Sequence, residues 1–129
     1  MRPDTHLHID RRLCGSPHGL TPGHASATLR AVPEMIVDQR GLVHGGFVFG
    51  LADHAAMLAI NDPNVVLGSA DLRFLLPVVA GDQLEARAEV TSTERRKRLV
   101  QVVVRRGEDV VCEGQLTCFV LPRHVLDRG

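Results

Sequence analysis

The chain has 129 residues, which suits one domain with a sizeable core and is too short for two. Fifteen Lys and Arg balance fifteen Asp and Glu, so no basic excess is present to neutralise nucleic acid phosphates. No apolar run reaches the roughly eighteen residues of a membrane span, and the first residues lack the basic-then-apolar pattern of a signal peptide. These features predict a cytoplasmic protein with neither a nucleic acid nor a membrane partner.

The three cysteines and seven histidines show no spacing typical of metal ligands. An odd number of cysteines without a secretion signal predicts reduced thiols. We expect Cys112 and Cys118 on one face of a single strand, where cysteine behaves as a small hydrophobic residue. The sequence therefore predicts no metal and no cofactor.

The first half of the chain predicts an arm, a strand and a long helix. Residues 1–22 mix Pro, Gly, His and charged residues, which predicts a loosely packed N-terminal arm with one helical turn near residues 9–13. A strand is expected at residues 25–32 and a turn at residues 38–41. A helix should run from Gly45 to Ile60, because Asn61 and the following Asp-Pro stop it.

The second half of the chain predicts strands in meander order, with residues 106–109 as a hairpin turn. Alternation of apolar and charged residues is clearest after Gly81, as is typical of half-buried antiparallel strands. The expected strands cover residues 65–76, 84–91, 99–105 and 110–120. We expect a main domain over residues 23–121 and a C-terminal tail over residues 122–129.

The predicted helix is apolar on nearly every side. From Phe47 to Ile60 its only polar side chains are Asp53 and His54, so an antiparallel sheet curled around the helix is expected to enclose it. The predicted class is α+β. The pattern resembles the hotdog fold, in which an antiparallel sheet of five to six strands wraps one long central helix.

Asp53 is the most unusual residue of this helix. A buried carboxylate costs free energy unless it is paired or hydrogen-bonded, and desolvation raises its pKa. Its position indicates either a chemical role or a structural Asp that is satisfied by backbone donors.

An ordered set of motifs over residues 25–120 resembles the hotdog acyl-CoA thioesterases, with the phenylacetate-pathway type as the nearest branch. Its most specific part is His-Gly-Gly followed by Asp nine residues after the His. The whole set comprises Gly41-x-x-His44-Gly45-Gly46, Leu51-Ala52-Asp53, Asn61, Asp71-x-x-Phe74-x-x-Pro77 and Gly81-Asp82.

The resemblance implies an acyl-CoA thioesterase whose chemistry fits the start of the helix. Thioester hydrolysis needs donors for the oxygen that becomes negative, and a group that activates water or attacks directly. Gly45 and Gly46 begin the helix, where N–H groups have no intrahelical partner and the helix dipole is positive. The resemblance implies that Gly45 contacts the substrate, the Gly46 N–H is the oxyanion donor and Asp53 is the general base or nucleophile. A tight helix entry that needs two glycines is the alternative.

The spacing of Gly46 and Asp53 predicts an assembly. Seven residues put the two groups on one helix face but about 10 Å apart along the axis. One reacting carbon cannot lie about 3 Å from both groups of the same helix. If both act on one thioester they come from two chains, so we expect an obligate homodimer with composite sites. The resemblance also implies pairing of dimers into a homotetramer.

Four further residues stand at positions that the family uses. Ser69 would position the water or the carboxylate, or is an ordinary strand serine. His44 would act as a general acid, although a role in holding the loop through its ring nitrogens is favoured. Asp38 stands where relatives carry an Asn that contacts the thioester, and an ionised Asp cannot donate that hydrogen bond. Asn61 would contact the substrate, although its role as a helix terminator is favoured.

Coenzyme A carries phosphates, and residues 95–98 form the one basic run of the chain. Arg95, Arg96 and Arg98 are therefore candidate phosphate contacts, and Arg73 is a further candidate. The alternative for the basic run is a solvated face.

Two rival functions remain open at this point. A hotdog domain can serve as a non-catalytic acyl-CoA-binding or sensing module, which leaves Asp53 without a purpose. A hydratase or dehydratase acting on acyl thioesters would need a catalytic His, for which His54 is the helix candidate. With four Phe and no Trp or Tyr, the composition favours aliphatic or small acyl groups over aryl ones.

Overall fold

The computed structural model of the protein describes residues 1–127. Two short helical segments, one long helix and six strands make up this part of the chain. In chain order they are α1 (Arg11–Cys14), β1 (Ser16–Thr21), β2 (His24–Arg30), a 3-10 turn (Pro33–Met35), α2 (Gly45–Ile60), β3 (Val65–Phe74), β4 (Gln83–Glu94), β5 (Lys97–Arg106) and β6 (Asp109–Val120). None of the helices of residues 1–127 is long and apolar enough to cross a membrane.

Helix α2 has the bounds that the sequence predicted. It begins after His44, whose backbone is extended, and ends at Asn61, which adopts the left-handed conformation (φ 53°, ψ 48°). The Asn61 N–H donates to the Met57 carbonyl at 2.8 Å, so the last turn is closed at the expected residue. Nine of its side chains are buried, as expected for a helix enclosed by a sheet.

The six strands form one antiparallel sheet, and its inner face packs against α2. Alternate residues of β2, β4 and β5, together with the buried residues of β6, supply most of the strand contribution to the core. Cys112 and Cys118 are both buried on this face of β6, as predicted. Burial, and secondarily the charge of Glu113, raises the pKa of Cys112 to about 11.

The strand order corrects the predicted meander. The order in the sheet is β1-β2-β4-β5-β6-β3, so β3 pairs with β6 and not with β4, which follows it in the chain. The chain leaves β3 at Phe74 and crosses the end of the sheet before β4 begins at Gln83. Alternation identifies strands but not their partners, and β3 thereby becomes an exposed edge strand.

The expectation of a loosely packed arm through residue 22 is also wrong. Ser16–Thr21 form strand β1, which pairs with β2 from Ser16↔Thr28 to Thr21↔His24. Pro17 and a register shift before Gly19 hide this strand from a periodicity search, and an edge position tolerates such a Pro. The predicted helical turn is present one to two residues later, as α1. Of the predicted tail, residues 122–127 are irregular, and residues 128–129 lie outside the described residues.

Candidate active site

The start of α2 is open to solvent and carries the two glycines. Gly45, Gly46 and His44 are all exposed, and the first N–H groups of a helix have no intrahelical acceptor. A Cβ atom at Gly46 would lie 2.9 Å from the His44 ring, so glycine is what allows this ring to cover the first turn. An acceptor atom can therefore approach the positive end of the helix dipole here.

His44 is fixed through its backbone. Its N–H donates to the Met35 carbonyl at 2.9 Å, and its ring makes no capping hydrogen bond to α2. The ring meets the edge of Phe47 with centroids 6.2 Å apart. The main chain of His44 thus holds this loop, and the favoured role of the ring nitrogens stays a prediction.

Asp38 shapes the loop that precedes the helix. Its Oδ1 accepts hydrogen bonds from the N–H groups of Arg40 at 2.9 Å and Leu42 at 3.1 Å. The Val37 N–H donates to the Leu42 carbonyl and closes the turn. These contacts give the carboxylate a structural task in the turn, as is usual for Asp in this position.

An apolar hollow of about 270 Å³ opens beside Gly45. It lies between the start of α2 and the segment after β3. An isolated β-bridge between Leu42 and Val79 joins the loop before α2 to that segment. This hollow was not predicted from the sequence, although the apolar run after Arg73 was a usable signal. The side chains that line it include Leu42, Val48, Phe74, Leu75, Leu76 and Val111.

A charged pair holds the segment that lines the hollow. The Arg106 guanidinium donates to the Pro77 carbonyl at 2.8 Å and to Asp82 Oδ2 at 3.0 Å. The same Asp82 oxygen accepts from the Val79 N–H at 3.0 Å. The Gly81-Asp82 part of the sequence motif is therefore structural in this chain.

Asp53 lies two turns along α2 from Gly46. Its Oδ1 is buried and has no hydrogen-bond partner among residues 1–127. Burial raises the pKa of Asp53, and the charge of His6 acts in the opposite direction. The structure thus contains the costly carboxylate that the sequence predicted, without the backbone donors of the structural alternative.

His54 has a structural environment. It is only 1% exposed, and its Nδ1 lies 3.3 Å from the Cys14 carbonyl oxygen. Burial lowers the pKa of His54, against the opposing effect of its backbone hydrogen bonds. A ring committed to the arm's main chain offers little support for the hydratase alternative.

Ser69 and Arg73 lie on the edge strand β3 and are exposed. Ser69 is opposite Thr117 and Arg73 is opposite Glu113 in the pairing with β6. Nearly all of β3 is exposed on both faces in the single chain. Among residues 1–127, neither side chain forms a hydrogen bond to the buried Oδ1 of Asp53.

The basic run forms the turn between β4 and β5. Arg95 adopts a left-handed conformation (φ 55°), and Arg95, Arg96 and Lys97 are exposed. Arg98 is folded back, since its Nη1 donates to the carbonyl of Arg95 at 2.7 Å and of Lys97 at 3.2 Å. Of the predicted phosphate contacts in this turn, Arg95 and Arg96 therefore keep exposed side chains, as does the neighbouring Lys97, whereas Arg98 is engaged.

Asn61 closes the far end of α2 and holds the N-terminal arm. Its Oδ1 accepts from the Asp4 N–H at 2.6 Å, and its Nδ2 donates to the Arg2 carbonyl at 3.1 Å. The predicted role as helix terminator is confirmed by its left-handed backbone. Both polar ends of its side chain are engaged by the arm in this structure.

Comparison with known proteins places the chain in a family. The model of the Thioesterase superfamily matches residues 40–113. An uncharacterized protein from Pyrococcus horikoshii is similar at 50% identity and a TM-score of 0.97, with 98% of each chain covered. An Asn-to-Asp mutant of the phenylacetic acid degradation protein PaaI from Thermus thermophilus is 32% identical, with a TM-score of 0.77, 84% of this chain and 95% of that chain.

Two curated relatives are longer proteins. The methylthioribose-1-phosphate isomerase of Aquifex aeolicus is 44% identical over 118 residues, which are 91% of this chain and 26% of the isomerase. The transcription factor FapR of Bacillus subtilis is 29% identical over 97 residues, which are 74% of this chain and 52% of FapR. The chain thus spans about a quarter and about half of these relatives.

The predicted architecture is confirmed as a hotdog fold, with six antiparallel strands around a central helix, as in its PaaI neighbours. The likeness in sequence extends over the helix entry, Asp53 and the strands that follow. The chain belongs to the thioesterase superfamily.

Proposed function

We propose that this protein is an acyl-CoA thioesterase that hydrolyses an acyl-CoA to the free acid and CoA. One observation carries the proposal: α2 bears the half-buried Asp53, whose buried Oδ1 has no hydrogen-bond partner among residues 1–127, and the open N-terminus of the same helix presents the Gly46 N–H. A fold rarely retains an unpaired buried carboxylate without a chemical use for it. Membership in the thioesterase superfamily agrees with that use.

In the proposed reaction the thioester carbonyl oxygen accepts a hydrogen bond from the Gly46 N–H at the positive helix end. With Asp53 as general base, a water oxygen attacks the carbonyl carbon while its proton passes to the carboxylate. The tetrahedral intermediate then collapses, the carbon–sulfur bond breaks, and the CoA thiolate leaves and takes up the proton. With Asp53 as nucleophile, its oxygen displaces the thiolate, and water hydrolyses the resulting anhydride.

We further propose that each site is built from two chains of a homodimer. Gly46 and Asp53 of one helix are about 10 Å apart along the axis, so one thioester reaches both groups only when a second α2 runs antiparallel to the first. An apolar edge, composed of Leu42, Phe74, Leu75, Leu76 and Val79, supports an interface, because each of these side chains is more than a third exposed. Assembly of these dimers into a homotetramer is a further proposal, which rests on the family resemblance.

The surroundings of the site support an aliphatic acyl group. The hollow beside Gly45 is lined by Leu and Val with Phe74 as its one aromatic side chain. For the CoA phosphates we propose Arg95 and Arg96, with Arg73 as a further contact, whereas Arg98 is engaged in its own turn. Cytoplasmic location remains a proposal based on three unpaired cysteines.

The remaining predicted site residues keep narrower proposed roles. Ser69 would orient the water or the Asp53 carboxylate of the partner chain from the edge strand. His44 would cover the first turn of α2, and Asp38 would keep the preceding loop in shape. Asn61 would fix the arm at the helix end, and a direct substrate contact would require it to release Asp4.

The second candidate function is a non-catalytic acyl-CoA-binding module. The similarity to the transcription factor FapR favours it, since about half of that regulator matches this chain. In that case Asp53 would have no reaction to serve, and its replacement would leave ligand binding intact.

The experiment is release of free thiol from a panel of short, medium, branched and aryl acyl-CoAs. Wild type is compared with Asp53→Ala and with Asp127→Asn, which replaces an exposed carboxylate outside the site. We expect turnover of aliphatic substrates by wild type and by Asp127→Asn, and a loss of about two orders of magnitude or more in Asp53→Ala. Absence of turnover together with a rise in melting temperature on acyl-CoA addition would establish the binding module instead.

A further inference from the structure

The loop that leads into α2 is held by main-chain hydrogen bonds to the segment between β3 and β4. The Val43 N–H donates to the Val78 carbonyl at 2.8 Å, and the Ala80 N–H donates to the Gly41 carbonyl at 3.0 Å. Val43 and Val78 are both buried, so the two pieces of chain meet in the core. Because α2 begins two residues after Val43, the place of this segment helps to set where the helix begins.

On its other side the same loop meets residues 35–37. The His44 N–H donates to the Met35 carbonyl at 2.9 Å, and the Val37 N–H donates to the Leu42 carbonyl at 2.9 Å. One isolated β-bridge lies on each side of the loop, which is therefore the middle of three short extended pieces. The segment after β3 is thus one of the two supports of the loop before α2.

The end of β5 holds the middle of this supporting segment. Arg106 Nη1 donates to the Pro77 carbonyl at 2.8 Å and to Asp82 Oδ2 at 3.0 Å, and the same Asp82 oxygen accepts from the Val79 N–H at 3.0 Å. Pro77 has no N–H, so its carbonyl is the main-chain group through which a hydrogen bond can fix it. One guanidinium nitrogen therefore fixes the chain on both sides of Val78, which accepts from the loop.

The contact of Arg106 with the segment is suited to resist movement. The side chains of Arg106 and Asp82 are 30% and 18% exposed, so solvent screens their attraction less than at the open surface. Hydrogen bonds from a guanidinium are charge-assisted and stronger than those between neutral groups. Asp109 lies 3.7 Å from the other terminal nitrogen, Nη2, and orients the group from its own hairpin. The two ends of the segment have main-chain anchors at Leu75 and Gly81, so Arg106 supports its middle.

We infer that Arg106 is a positioning residue for the Gly46 N–H, because it fixes the segment on which the loop before α2 is aligned. The inference rests on the proposed function, in which this N–H stabilises the oxyanion. Such a donor acts only while it points at the oxygen on which negative charge develops, so a small displacement of the first helical turn lowers the rate more than it weakens substrate binding. Arg106 itself acts through residues 77–79 and the loop.

The kinetic test compares wild type with Arg106→Gln, Arg106→Lys and the control Arg105→Gln. Arg105 is the preceding residue of β5 and is exposed, so its replacement removes the same charge from the same strand. We expect kcat of Arg106→Gln on the best acyl-CoA of the panel to fall about ten- to a hundredfold while KM changes less than about threefold. Arg106→Lys keeps a charged donor and should retain more of kcat than Arg106→Gln, and Arg105→Gln should match wild type.

Amide hydrogen exchange followed by NMR measures the loop without turnover. In Arg106→Gln the N–H groups of Val43 and Ala80 should exchange about tenfold faster than in wild type, because the bonds that protect them open more often. The Asn61 N–H, which donates to the Met57 carbonyl at the far end of α2, is the internal reference and should keep its rate. Equal acceleration at all three N–H groups in both Arg106 variants would mean a general loss of stability and would overturn the inference.

The remaining outcomes separate the inference from the proposed function. Lower kcat and faster exchange at Val43 and Ala80 in Arg106→Gln, with neither change in Arg105→Gln, support the role of Arg106. Thioesterase activity with an unchanged kcat in Arg106→Gln overturns that role and leaves the proposed function standing. Absence of activity in every protein overturns the proposed function, and exchange then decides alone: faster exchange supports the hold of Arg106 on the loop, and unchanged exchange overturns it.

Discussion

Replacement of Gly15 by Ala tests whether the arm is packed against α2 as the structure shows. Gly15 has φ 95° and ψ 160°, a conformation that is essentially restricted to glycine. A methyl group there would lie 2.5 Å from Leu51 Cδ1 and 3.1 Å from the Thr28 carbonyl oxygen. Since the side chain of Leu51 is fully buried and the Thr28 oxygen is main chain, relief requires the arm to move.

The size of the effect follows from two separable costs. The backbone conformation should cost about 1–3 kcal/mol when Ala occupies it. Overpacking against Leu51 and Thr28 should add about 1–3 kcal/mol. Gly23 is the matched control, because it also has a positive φ (78°) but nothing within 4 Å of its Cβ position. Gly23→Ala should therefore show only a backbone cost.

The assay is urea unfolding of wild type, Gly15→Ala and Gly23→Ala at one protein concentration, because the stability of the proposed dimer would depend on concentration. We expect Gly15→Ala to lose about 2–6 kcal/mol of unfolding free energy, and about 1–3 kcal/mol more than Gly23→Ala. Equal losses in the two variants would refute the reasoning, since they would mean that no packed contact exists between residue 15 and α2.

Four further predictions concern charge, the arm, the thiols and the interface. Asp53→Asn should be more stable than wild type at neutral pH, because burial raises the folded-state pKa of Asp53 and folding therefore destabilises its ionised form. Chemical denaturation at several pH values should show this stability difference vanish as the pH falls through the raised pKa toward 3.8. A stability difference that stays constant with pH would contradict the prediction. Asn61→Gly keeps the left-handed backbone but loses two hydrogen bonds to the arm. Limited proteolysis should therefore cut the first residues faster, and the unfolding free energy should fall by about 1–3 kcal/mol. An unchanged rate of proteolysis would contradict this prediction. Cys112 and Cys118 should resist alkylation in the folded protein at pH 8, because burial raises the pKa of both thiols and only thiolates react. Mass spectrometry should show that both cysteines react once urea unfolds the protein. Rapid labelling without urea would contradict their burial. Phe74→Asp should shift the protein toward monomer, because a charge replaces an exposed apolar side chain of the proposed interface. Analytical ultracentrifugation at micromolar protein concentration measures this shift. A dimer that is unchanged by the substitution would mean that the interface lies elsewhere.

Local signals in the sequence predicted the bounds of α2 and the buried carboxylate oxygen on it. Helix α2 has the bounds that two glycines at its start and Asn-Asp-Pro at its end indicated. The unpaired carboxylate of Asp53 follows from a single charge in an otherwise apolar helix. These features depend on residues adjacent in the chain, so they are visible without the fold.

Features that depend on residues far apart in the chain were not predicted from the sequence. The position of β3 beside β6 is set by where the chain crosses the sheet, which alternation does not encode. The hydrogen bonds between the arm and the α2 segment join residues 40 to 59 positions apart in the chain, so the path of the arm along the helix gave no local sign in the sequence. Strand β1 was missed because Pro17 and Gly19 interrupt its pattern while its pairing with β2 compensates.

The most direct test of the composite site is complementation between two inactive chains. Gly46→Pro removes the proposed oxyanion donor at a first-turn position where the fixed φ of proline is tolerated, although the added ring must displace the His44 ring. Asp53→Asn removes the proposed base. Each variant alone should be inactive on the best acyl-CoA of the panel. When the two are unfolded together and refolded as a mixture, half of the dimers are mixed and each holds one intact site, so activity should recover to about a quarter of wild type. No recovery, with mixed dimers shown to be present, would contradict a site shared between two chains.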